Sequence, residues 1–378
     1  IVNGGKTPTD LADATYDIVI VGGGAAGIAV ASSLKTRRSD LEIALIDPAD
    51  IHYYQPGWTM VGGGIFDAST TAKTMGSLIP KGVTWIKSAV AAFEPGDDAV
   101  ILDGCRVVKY KRLIVCPGPP MPIKCAGAPQ KAMYLSADHW RRQGVLDQMD
   151  IGFYNAGGVL FGVKDYVPAL ESYVERYGAK LNFFHNLVAI DGPAKKAWFD
   201  VIEPEKEVRR ISTDFDMIHV CPPQTAPDFI RVSPLADAGG WIDVDQSSLR
   251  HKTHTNIWSL GDVMNAPNAK TAAAARMQAP VVAANLIADI EGKSPVAQYD
   301  GYGSCPLTVE RGKIVLAEFG YGGALKPSFP TWLIDGTKPS RLAWLLKEKL
   351  LPPIYWKAML RGKEWLASPE KVTASRKV

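Results

Sequence analysis

The chain has 378 residues, more than one ordinary hydrophobic core accommodates, so we expect at least two domains. Hydrophobic residues make up 47% and charged residues 21%, a balance typical of globular rather than disordered proteins. The net charge of +3 is too small to indicate a nucleic-acid partner, the first residues lack a signal-peptide pattern, and no apolar run is long enough to span a membrane.

The first elements are a strand, a glycine-rich turn and a helix. In residues 16–35, YDIVIVGGGAAGIAVASSLK, a β-branched strand leads into Gly22, Gly24 and Gly27, which form a G-x-G-x-x-G pattern. An apolar helix follows, and a second strand ends on Asp47, twenty residues after Gly27. Strand, helix and acid together predict a dinucleotide site, with the pyrophosphate at the helix N-terminus and Asp47 on a ribose hydroxyl.

The next strand, YKRLIVCPG, ends at Gly118, and KCAGAPQK follows with Cys125 at the predicted opening of a helix. We searched 119–235 for the second G-x-G-x-x-G that enzymes using NAD(P)H carry. Glycines at 157, 158 and 162 do not form it. The sequence therefore predicts that the nicotinamide site is absent and that a thiol does the reducing chemistry; a degenerate, non-functional Rossmann domain is the alternative.

A second strand–turn–helix lies in residues 256–286. The strand predicted at 257–260 runs into Gly261 and Asp262, and a long alanine-rich helix begins near Thr271. A Gly-Asp turn in this position is typical of the second FAD motif of flavoproteins with two dinucleotide domains, where the helix N-terminus faces the flavin ring. The preferred interpretation is FAD in a discontinuous domain, and NAD in this site is the lesser one.

Five cysteines are too few for a disulfide scaffold in a chain of this length. A helix N-terminus favours the thiolate form, so Cys125 is the predicted reactive thiol. Cys105, Cys116 and Cys221 lie in or beside predicted strands and are expected to be packing thiols. Cys305 lies in the glycine-rich stretch YDGYGSCPL, predicted to be an exposed loop, and is the candidate partner of Cys125.

Four motifs together resemble the sulfide:quinone oxidoreductases, and they fit best the branch that includes the mitochondrial enzymes. The similarity extends from about Asp17 to Trp365. The motifs are HYYQPGWTMVGGG (52–64), KCAGAPQK (124–131), GDVMNAPNAKTAAAA (261–275) and YDGYGSCPL (299–307).

The resemblance implies a redox pair, Cys125 and Cys305, beside FAD. It further implies that hydrogen sulfide attacks the disulfide, that Cys305 becomes the persulfide, and that a small acceptor (glutathione, sulfite, cyanide or sulfide) removes the sulfane sulfur. By the same resemblance Cys125 is released as a thiolate that passes electrons to FAD, and the reduced FAD gives them to a quinone. No metal is expected. The residues predicted to contact FAD are Gly22, Gly24, Ala25, Ala26, Gly27, Asp47, Gln55, Val90, Gly118, Gly261, Asp262, Lys270 and Thr271.

One departure from the family concerns the stretch before Cys125. Relatives place several tens of residues between the strand-glycine turn and the cysteine motif, whereas PPMPI is nearly all that joins Gly118 to that motif here. This is too short to start a second domain with its own strand. Either residues are missing between about 118 and 121, or a deletion has removed the first strand of the inserted domain.

The C-terminal residues 338–366 are rich in apolar, aromatic and basic side chains. Leucines at 342, 345, 346 and 350 form a helical stripe, and a second short helix is predicted after Pro352-Pro353 with Ile354, Trp356, Met359 and Leu360. With basic residues on the other side, this pattern predicts a pair of interfacial helices that touch a membrane, as a lipid-soluble quinone requires. Packing on the protein surface or on a second subunit is the alternative.

The predicted fold is α/β, with two Rossmann-like domains and a C-terminal amphipathic helical segment that binds a membrane. The FAD domain is discontinuous, at 14–118 and 235–305; the second Rossmann-like domain covers 119–234, and 306–378 forms the quinone and membrane segment. We expect a peripheral or monotopic membrane protein of the mitochondrial inner membrane or a bacterial plasma membrane, and a possible homo-oligomer.

His52 and His219 are expected to be structural, with proton transfer as the alternative. Competing functions are an NADH:quinone reductase of the same fold, a non-catalytic flavin- or sulfur-binding protein, and a flavocytochrome-type sulfide dehydrogenase.

Overall fold

The computed structural model describes residues 14–118 and 127–372. Cys125 and the junction in which residues were predicted to be missing lie outside this part of the chain. Within it, α-helices and β-strands alternate through most of the sequence, in agreement with the predicted α/β class.

A seven-stranded sheet forms the centre of the first half. Alternating β-branched and aliphatic residues make the first strands continuously apolar, as is typical of strands that are covered on both faces. The helix that follows the glycine turn is also buried along most of its length. The strands and helices of this half are β1 (Thr15–Val21), α1 (Ala25–Arg37), β2 (Ile43–Ile46), β3 (Ile51–Tyr53), α2 (Trp58–Gly62), β4 (Ala72–Thr74), β5 (Val83–Ile86), β6 (Val90–Glu94), β7 (Ala99–Leu102) and β8 (Val107–Val115).

The sheet order is β5-β2-β1-β8-β7-β6, with β5, β2, β1 and β8 parallel to one another. Strand β8 is long enough to pair with two other strands along the same edge. Its first residues pair antiparallel with β7, and Leu113–Val115 pair in parallel with a strand from much later in the chain, residues 257–259. The late segment therefore completes the same sheet, as expected for a discontinuous domain.

Most of residues 127–234 form a second cluster of elements, whose apolar core is completed by residues 305–317 of a later hairpin, whereas Ile230 belongs to the core of the first half. Two parallel strands and a separate three-stranded antiparallel sheet are its only sheets within the described residues. No strand forms at 217–221, where one was predicted, because the backbone there has no ladder partner in the described chain. The elements are α3 (Ala128–Gln143), β9 (Gly152–Asn155), α4 (Val167–Arg176), β10 (Lys180–Phe183), β11 (His185–Asp191), β12 (Lys196–Val201), β13 (Arg209–Asp214) and α5 (Asp228–Arg231).

The last part of the chain returns to the first sheet and then crosses the molecule. The alanine-rich helix packs against α1, and a following hairpin packs against α3. The C-terminal helices end on α1, where the hydroxyl of Ser32 donates to the carbonyl oxygen of Leu360. The elements are β14 (Ile257–Ser259), α6 (Ala272–Ile290), β15 (Ala297–Gln298), β16 (Gly303–Glu310), β17 (Lys313–Phe319), α7 (Arg341–Leu345), a π-helical turn (Leu346–Leu350), α8 (Leu351–Lys357) and β18 (Glu370–Lys371).

Candidate functional site

The glycine turn between β1 and α1 has no room for side chains on its inner side. Gly22 has a φ of +104°, and a Cβ there would lie 2.7 Å from Pro117 backbone atoms. A Cβ on Gly27 would lie 1.8 Å from the carbonyl oxygen of Gly22. Around Gly24, in contrast, there is open space. The turn is therefore closed toward the protein and open at the N-terminus of α1, where a phosphate can approach the backbone.

Asp47 follows β2 and turns back toward the glycines. The backbone N–H of Gly23 donates to its Oδ2 at 2.6 Å, and the N–H of Ala49 donates to its Oδ1 at 2.8 Å. A carboxylate has about four acceptor positions, so both oxygens keep capacity for a ribose hydroxyl. The carboxylate thus lies beside the turn, in the place that the fingerprint predicts.

The second predicted motif meets the first. Gly261 has a φ of +82°, and a Cβ there would lie 3.1 Å from the Cβ of Ala26 in the first turn of α1. The Gly261 N–H donates to Oε1 of Gln278, and Asp262 is buried with 6% of its surface exposed. The fold therefore brings residues more than 200 positions apart in sequence to one helix end.

Lys270 and Thr271 form the approach to α6. Thr271 caps the helix, because its side chain accepts from the N–H of Ala274. The Lys270 ammonium donates to the carbonyl oxygens of Met264 and Ala266, and burial lowers the pKa of Lys270 to about 8.

The remaining predicted cofactor contacts surround these motifs. Ala25 is the first residue of α1, Val90 opens β6, and Gly118 is exposed just beyond β8. Gln55 opens a 3-10 turn.

A large cavity of about 2340 Å³ lies between α3, α6, the 217–223 stretch and the C-terminal helices. Gln55, Lys270, Thr271, Ser304 and Pro306 line it. The glycine turn, Asp47 and Val90 do not belong to its lining, so only some of the predicted dinucleotide contacts face the cavity.

Cys305 lies in strand β16 and is buried, with 3% of its surface exposed. The prediction of an exposed loop is therefore wrong: the stretch pairs with β17 and covers the apolar core of the second cluster. The sulfur atom faces the start of α3. A Cβ built on Gly127, the residue before that helix, would lie 2.6 Å from Sγ of Cys305. The backbone two residues after Cys125 thus packs directly on the Cys305 sulfur.

The three other cysteines differ in their surroundings. Cys116 is buried beside the glycine turn, and burial raises its pKa, so it is a packing thiol as predicted. Cys105 is exposed in the turn between β7 and β8, with a φ of +61°, so the prediction that it packs inside is wrong. Cys221 is half-buried at the cavity rather than at a strand end, with its sulfur 3.6 Å from Nδ1 of His219, and burial raises its pKa to about 11.

His52 connects the glycine turn to the C-terminal helices. It is buried in β3, with Nδ1 3.2 Å from the carbonyl oxygen of Gly23 and Nε2 2.6 Å from the hydroxyl of Tyr355. This position fits the predicted structural role. His219, by contrast, is exposed at the cavity and not at a strand end. The Tyr355 contact was not predicted, because nothing in the sequence connects residues this far apart.

The C-terminal segment differs from the predicted pair of interfacial helices. The chain remains helical from 341 to 357, because a π-helical turn precedes Pro352 and Pro353 and places them in the first turn of α8. Trp344, Trp356, Met359 and Leu360 are buried in the protein, whereas Leu342, Leu345 and Leu350 are about half exposed.

Two further residues at this end were missed or misassigned. Lys347 is buried, and its Nζ reaches the carbonyl oxygen of Pro306 at 3.4 Å, next to Cys305. Trp332 is 84% exposed, and no sequence pattern had singled it out.

Within residues 14–118 and 127–372, no helix combines the length and apolar character needed to cross a membrane. In the same residues, no group of three or more His, Cys, Asp or Glu side chains is arranged to hold a metal ion.

Comparison with known proteins places this geometry in a family. Residues 16–150 match the family described as "Pyridine nucleotide-disulphide oxidoreductase". The mitochondrial sulfide:quinone oxidoreductase of Dictyostelium discoideum is 37% identical, covering 92% of this chain and 86% of that protein. The mouse mitochondrial enzyme is 33% identical, covering 92% of this chain and 87% of the relative.

Two solved structures share the fold. The sulfide:quinone oxidoreductase of Aquifex aeolicus superposes with a TM-score of 0.73 at 15% identity, covering 95% of this chain and 98% of that one. A chain of the Tetrahymena thermophila mitochondrial ATP synthase gives 0.78 at 18% identity, covering 95% and 99%. At these identities the likeness shows the fold alone, a mixed α/β fold with a Rossmann-like domain. The curated relatives show more: this chain belongs to the sulfide:quinone oxidoreductase family, as its four motifs predicted.

Proposed function

We propose that this protein oxidises hydrogen sulfide to sulfane sulfur through the pair Cys125 and Cys305, and passes the electrons through FAD to a quinone. The observation that supports this proposal most directly is the contact between Gly127 and the Cys305 sulfur. Two trans peptide units span at most about 7.6 Å between Cα atoms, so Cys125 cannot be far from Gly127. This limit on chain length permits Cys125 to come within the distance at which a disulfide with Cys305 can form.

The described residues fit FAD. The glycine turn is open where a pyrophosphate would lie, Asp47 has free acceptor capacity for a ribose, and the second motif meets the first at Ala26. We assign the binding of FAD to Gly22, Gly24, Ala25, Ala26, Gly27, Asp47, Gln55, Val90, Gly118, Gly261, Asp262, Lys270 and Thr271. When bound, FAD supplies a two-electron acceptor. The positive ends of α1 and α6 stabilise negative charge on the groups placed there.

The sulfur chemistry is thiol–disulfide exchange. Hydrosulfide attacks Cys305 in the Cys125–Cys305 disulfide; a new sulfur–sulfur bond forms on Cys305, the old bond breaks, and Cys125 leaves as a thiolate. A nucleophilic acceptor then takes the outer sulfur of the Cys305 persulfide. Re-formation of the disulfide from the two thiols releases two electrons and two protons, which finally reduce the quinone to a quinol.

The environment of Cys305 suits this exchange. The apolar neighbours Leu307 and Val309 exclude water, and the N-terminus of α3 favours a negative charge at the sulfur. Glutathione, sulfite, cyanide and sulfide are the candidate acceptors, and the cavity, whose wall includes Ser304 and Pro306 on either side of Cys305, is the proposed route to the pair.

The quinone reaches the cavity from a membrane through the segment 338–366. Leu350, Trp365 and Leu366 are exposed and also line the cavity, so apolar side chains continue from the surface to the interior. With Leu342, Leu345 and the neighbouring basic residues they provide an interfacial surface. The protein then binds the membrane peripherally, at the mitochondrial inner membrane or a bacterial plasma membrane, and a homo-oligomer formed through this surface is the alternative.

The proposed domains are those that the sequence predicts: an FAD domain at 14–118 and 235–305, a second Rossmann-like domain at 119–234, and the quinone and membrane segment at 306–378. The pairing of β14 with β8 supports a discontinuous FAD domain. The small parallel sheet β9–β10 supports a reduced second domain.

Anaerobic titration of the flavoprotein with sulfide tests the proposal. Sulfide should bleach the flavin, and a quinone should restore its colour. Cys125→Ser and Cys305→Ser should each abolish sulfide-dependent quinone reduction, whereas Cys105→Ser, which removes an exposed thiol outside the cavity, should retain it. Normal turnover in either of the first two variants would contradict the mechanism. Rapid bleaching by NADH but not by sulfide would favour the NADH:quinone reductase instead.

A further inference from the structure

Arg276 lies on the cavity face of α6. It lines the cavity together with Thr271, Ala272 and Ala273, and it lies one helical turn beyond Ala272. At about 1.5 Å per residue, the four positions from Ala272 correspond to about 6 Å along the helix axis. Arg276 is therefore about 6 Å along the helix axis from the helix end that we assign to FAD.

The guanidinium of Arg276 lacks a carboxylate partner within residues 14–118 and 127–372. One terminal nitrogen donates to the carbonyl oxygen of Trp365. The Nε atom is buried and has no acceptor in the described chain. Burial also lowers the pKa of Arg276. Because a buried donor without an acceptor is unfavourable, a rotation of the guanidinium that lets a ligand accept from this N–H would be stabilising.

The nearest candidate for a salt bridge is already satisfied. Glu318 also lines the cavity, and its carboxylate accepts from the hydroxyls of Tyr302 and Ser328 and from the N–H of Ser328. Three donors fill most of its acceptor positions. Glu318 therefore does not compete for Arg276.

Apolar side chains form the part of the cavity wall that leads from Arg276 toward the surface. Trp365, whose carbonyl oxygen Arg276 binds, is 62% exposed, and Leu366 and Leu350 continue the cavity wall toward the surface. A single fixed donor in an apolar wall suits a flat, neutral molecule with a carbonyl oxygen better than a strongly hydrated anion.

We propose that Arg276 is a quinone-binding residue, whose Nε–H donates to a carbonyl oxygen of the quinone ring. This inference rests on the proposed function. It assigns to one side chain the polar recognition of an otherwise apolar substrate, and it places the quinone at the cavity end bounded by Trp365.

The test uses the FAD-loaded enzyme and decylubiquinone, a short-chain quinone. Arg276→Met should raise both the equilibrium Kd and the KM for this quinone by about 10-fold, the effect of losing one hydrogen bond to a charged group. The rate of sulfide-driven flavin bleaching should stay within about twofold of the wild-type rate. Arg276→Lys, which keeps the charge but moves the donor, should have a Kd and a KM for this quinone between those of the wild type and of Arg276→Met. Arg231→Gln, which removes an exposed arginine paired with Asp228 and outside the cavity, should behave like the wild type.

An unchanged Kd and KM for decylubiquinone in Arg276→Met would overturn the inference. So would a rise in the KM for sulfite with quinone kinetics unchanged, because Arg276 would then bind the sulfur acceptor. A wild-type enzyme that is bleached by sulfide but not reoxidised by any quinone would refute the proposed function itself.

Discussion

Replacing Gly127 by alanine tests the contact on which the cysteine pair depends. Gly127 has φ −83° and ψ −4°, a conformation that alanine adopts readily, so the backbone alone predicts a stabilisation of about 0.4–1 kcal/mol. The new Cβ, however, would lie 2.6 Å from Sγ of Cys305 and 2.5 Å from Cδ2 of Leu307. Relief of such overpacking typically costs about 1–3 kcal/mol, so the clash outweighs the backbone gain.

The two neighbours respond differently. The methyl group of Leu307 ends a flexible side chain and can rotate away. Cys305 has a short side chain on a paired strand, so its sulfur must move by about 1 Å with the strand or with α3 to restore an ordinary contact. A misplacement of this size at reacting atoms can reduce a rate by about 100-fold. Gly127→Ala should therefore lower both the stability and, far more, the rate of flavin bleaching by sulfide.

Stopped-flow measurement of anaerobic flavin bleaching, together with urea unfolding, checks both effects. Gly96→Ala is the matched control, because Gly96 also lies in a helical turn and a Cβ there meets open space. If Gly127→Ala bleached as fast as the Gly96→Ala enzyme and unfolded at the same urea concentration, the close approach of Gly127 to Cys305 would be wrong.

Three further outcomes follow from the described contacts. Asp47→Asn removes the charge that accepts from Gly23, and should weaken FAD retention by about 10-fold, measured as flavin released on dilution. Burial lowers the pKa of Lys270 from 10.5 to about 8, so between these pH values the unfolded chain binds more protons than the folded chain, and this group makes the free energy of unfolding rise with pH. Lys270→Met should therefore flatten the pH dependence of the free energy of unfolding in this range. An unchanged slope would contradict the assignment. Serine at the three exposed leucines Leu342, Leu345 and Leu350 should reduce sedimentation with anionic vesicles at least 10-fold. Serine at Val208 and Val232, which are even more exposed but lie elsewhere, should not.

The local motifs could be predicted because their physical requirements are local. The turn at Gly22 needs a positive φ and a close backbone approach, and Asp47 follows its strand at a fixed spacing, so residue types alone indicated the arrangement. The helix after Thr271 was likewise evident from its cap and its alanines.

Burial in the late part of the chain could not be predicted in this way. Cys305 follows several glycines, which suggested a loop, but its neighbours Leu307 and Val309 find a core face that α3 supplies from a distant segment. Trp344 and Trp356 belonged to an amphipathic pattern that fits a membrane and a protein surface equally well. Only tertiary packing decides between the two. It buries Trp344 and Trp356 but leaves Leu342, Leu345 and Leu350 exposed.

The shared edge of β8 has a consequence for biosynthesis. Leu113–Val115 stay without their second neighbour until residues 257–259 have left the ribosome, and α6 follows later still. A nascent chain therefore carries an open, strongly apolar sheet edge through the synthesis of the whole middle region. Cofactor capture must wait for that closure, so chaperone protection and flavin supply are expected to limit the yield of active protein more than the intrinsic stability of either half.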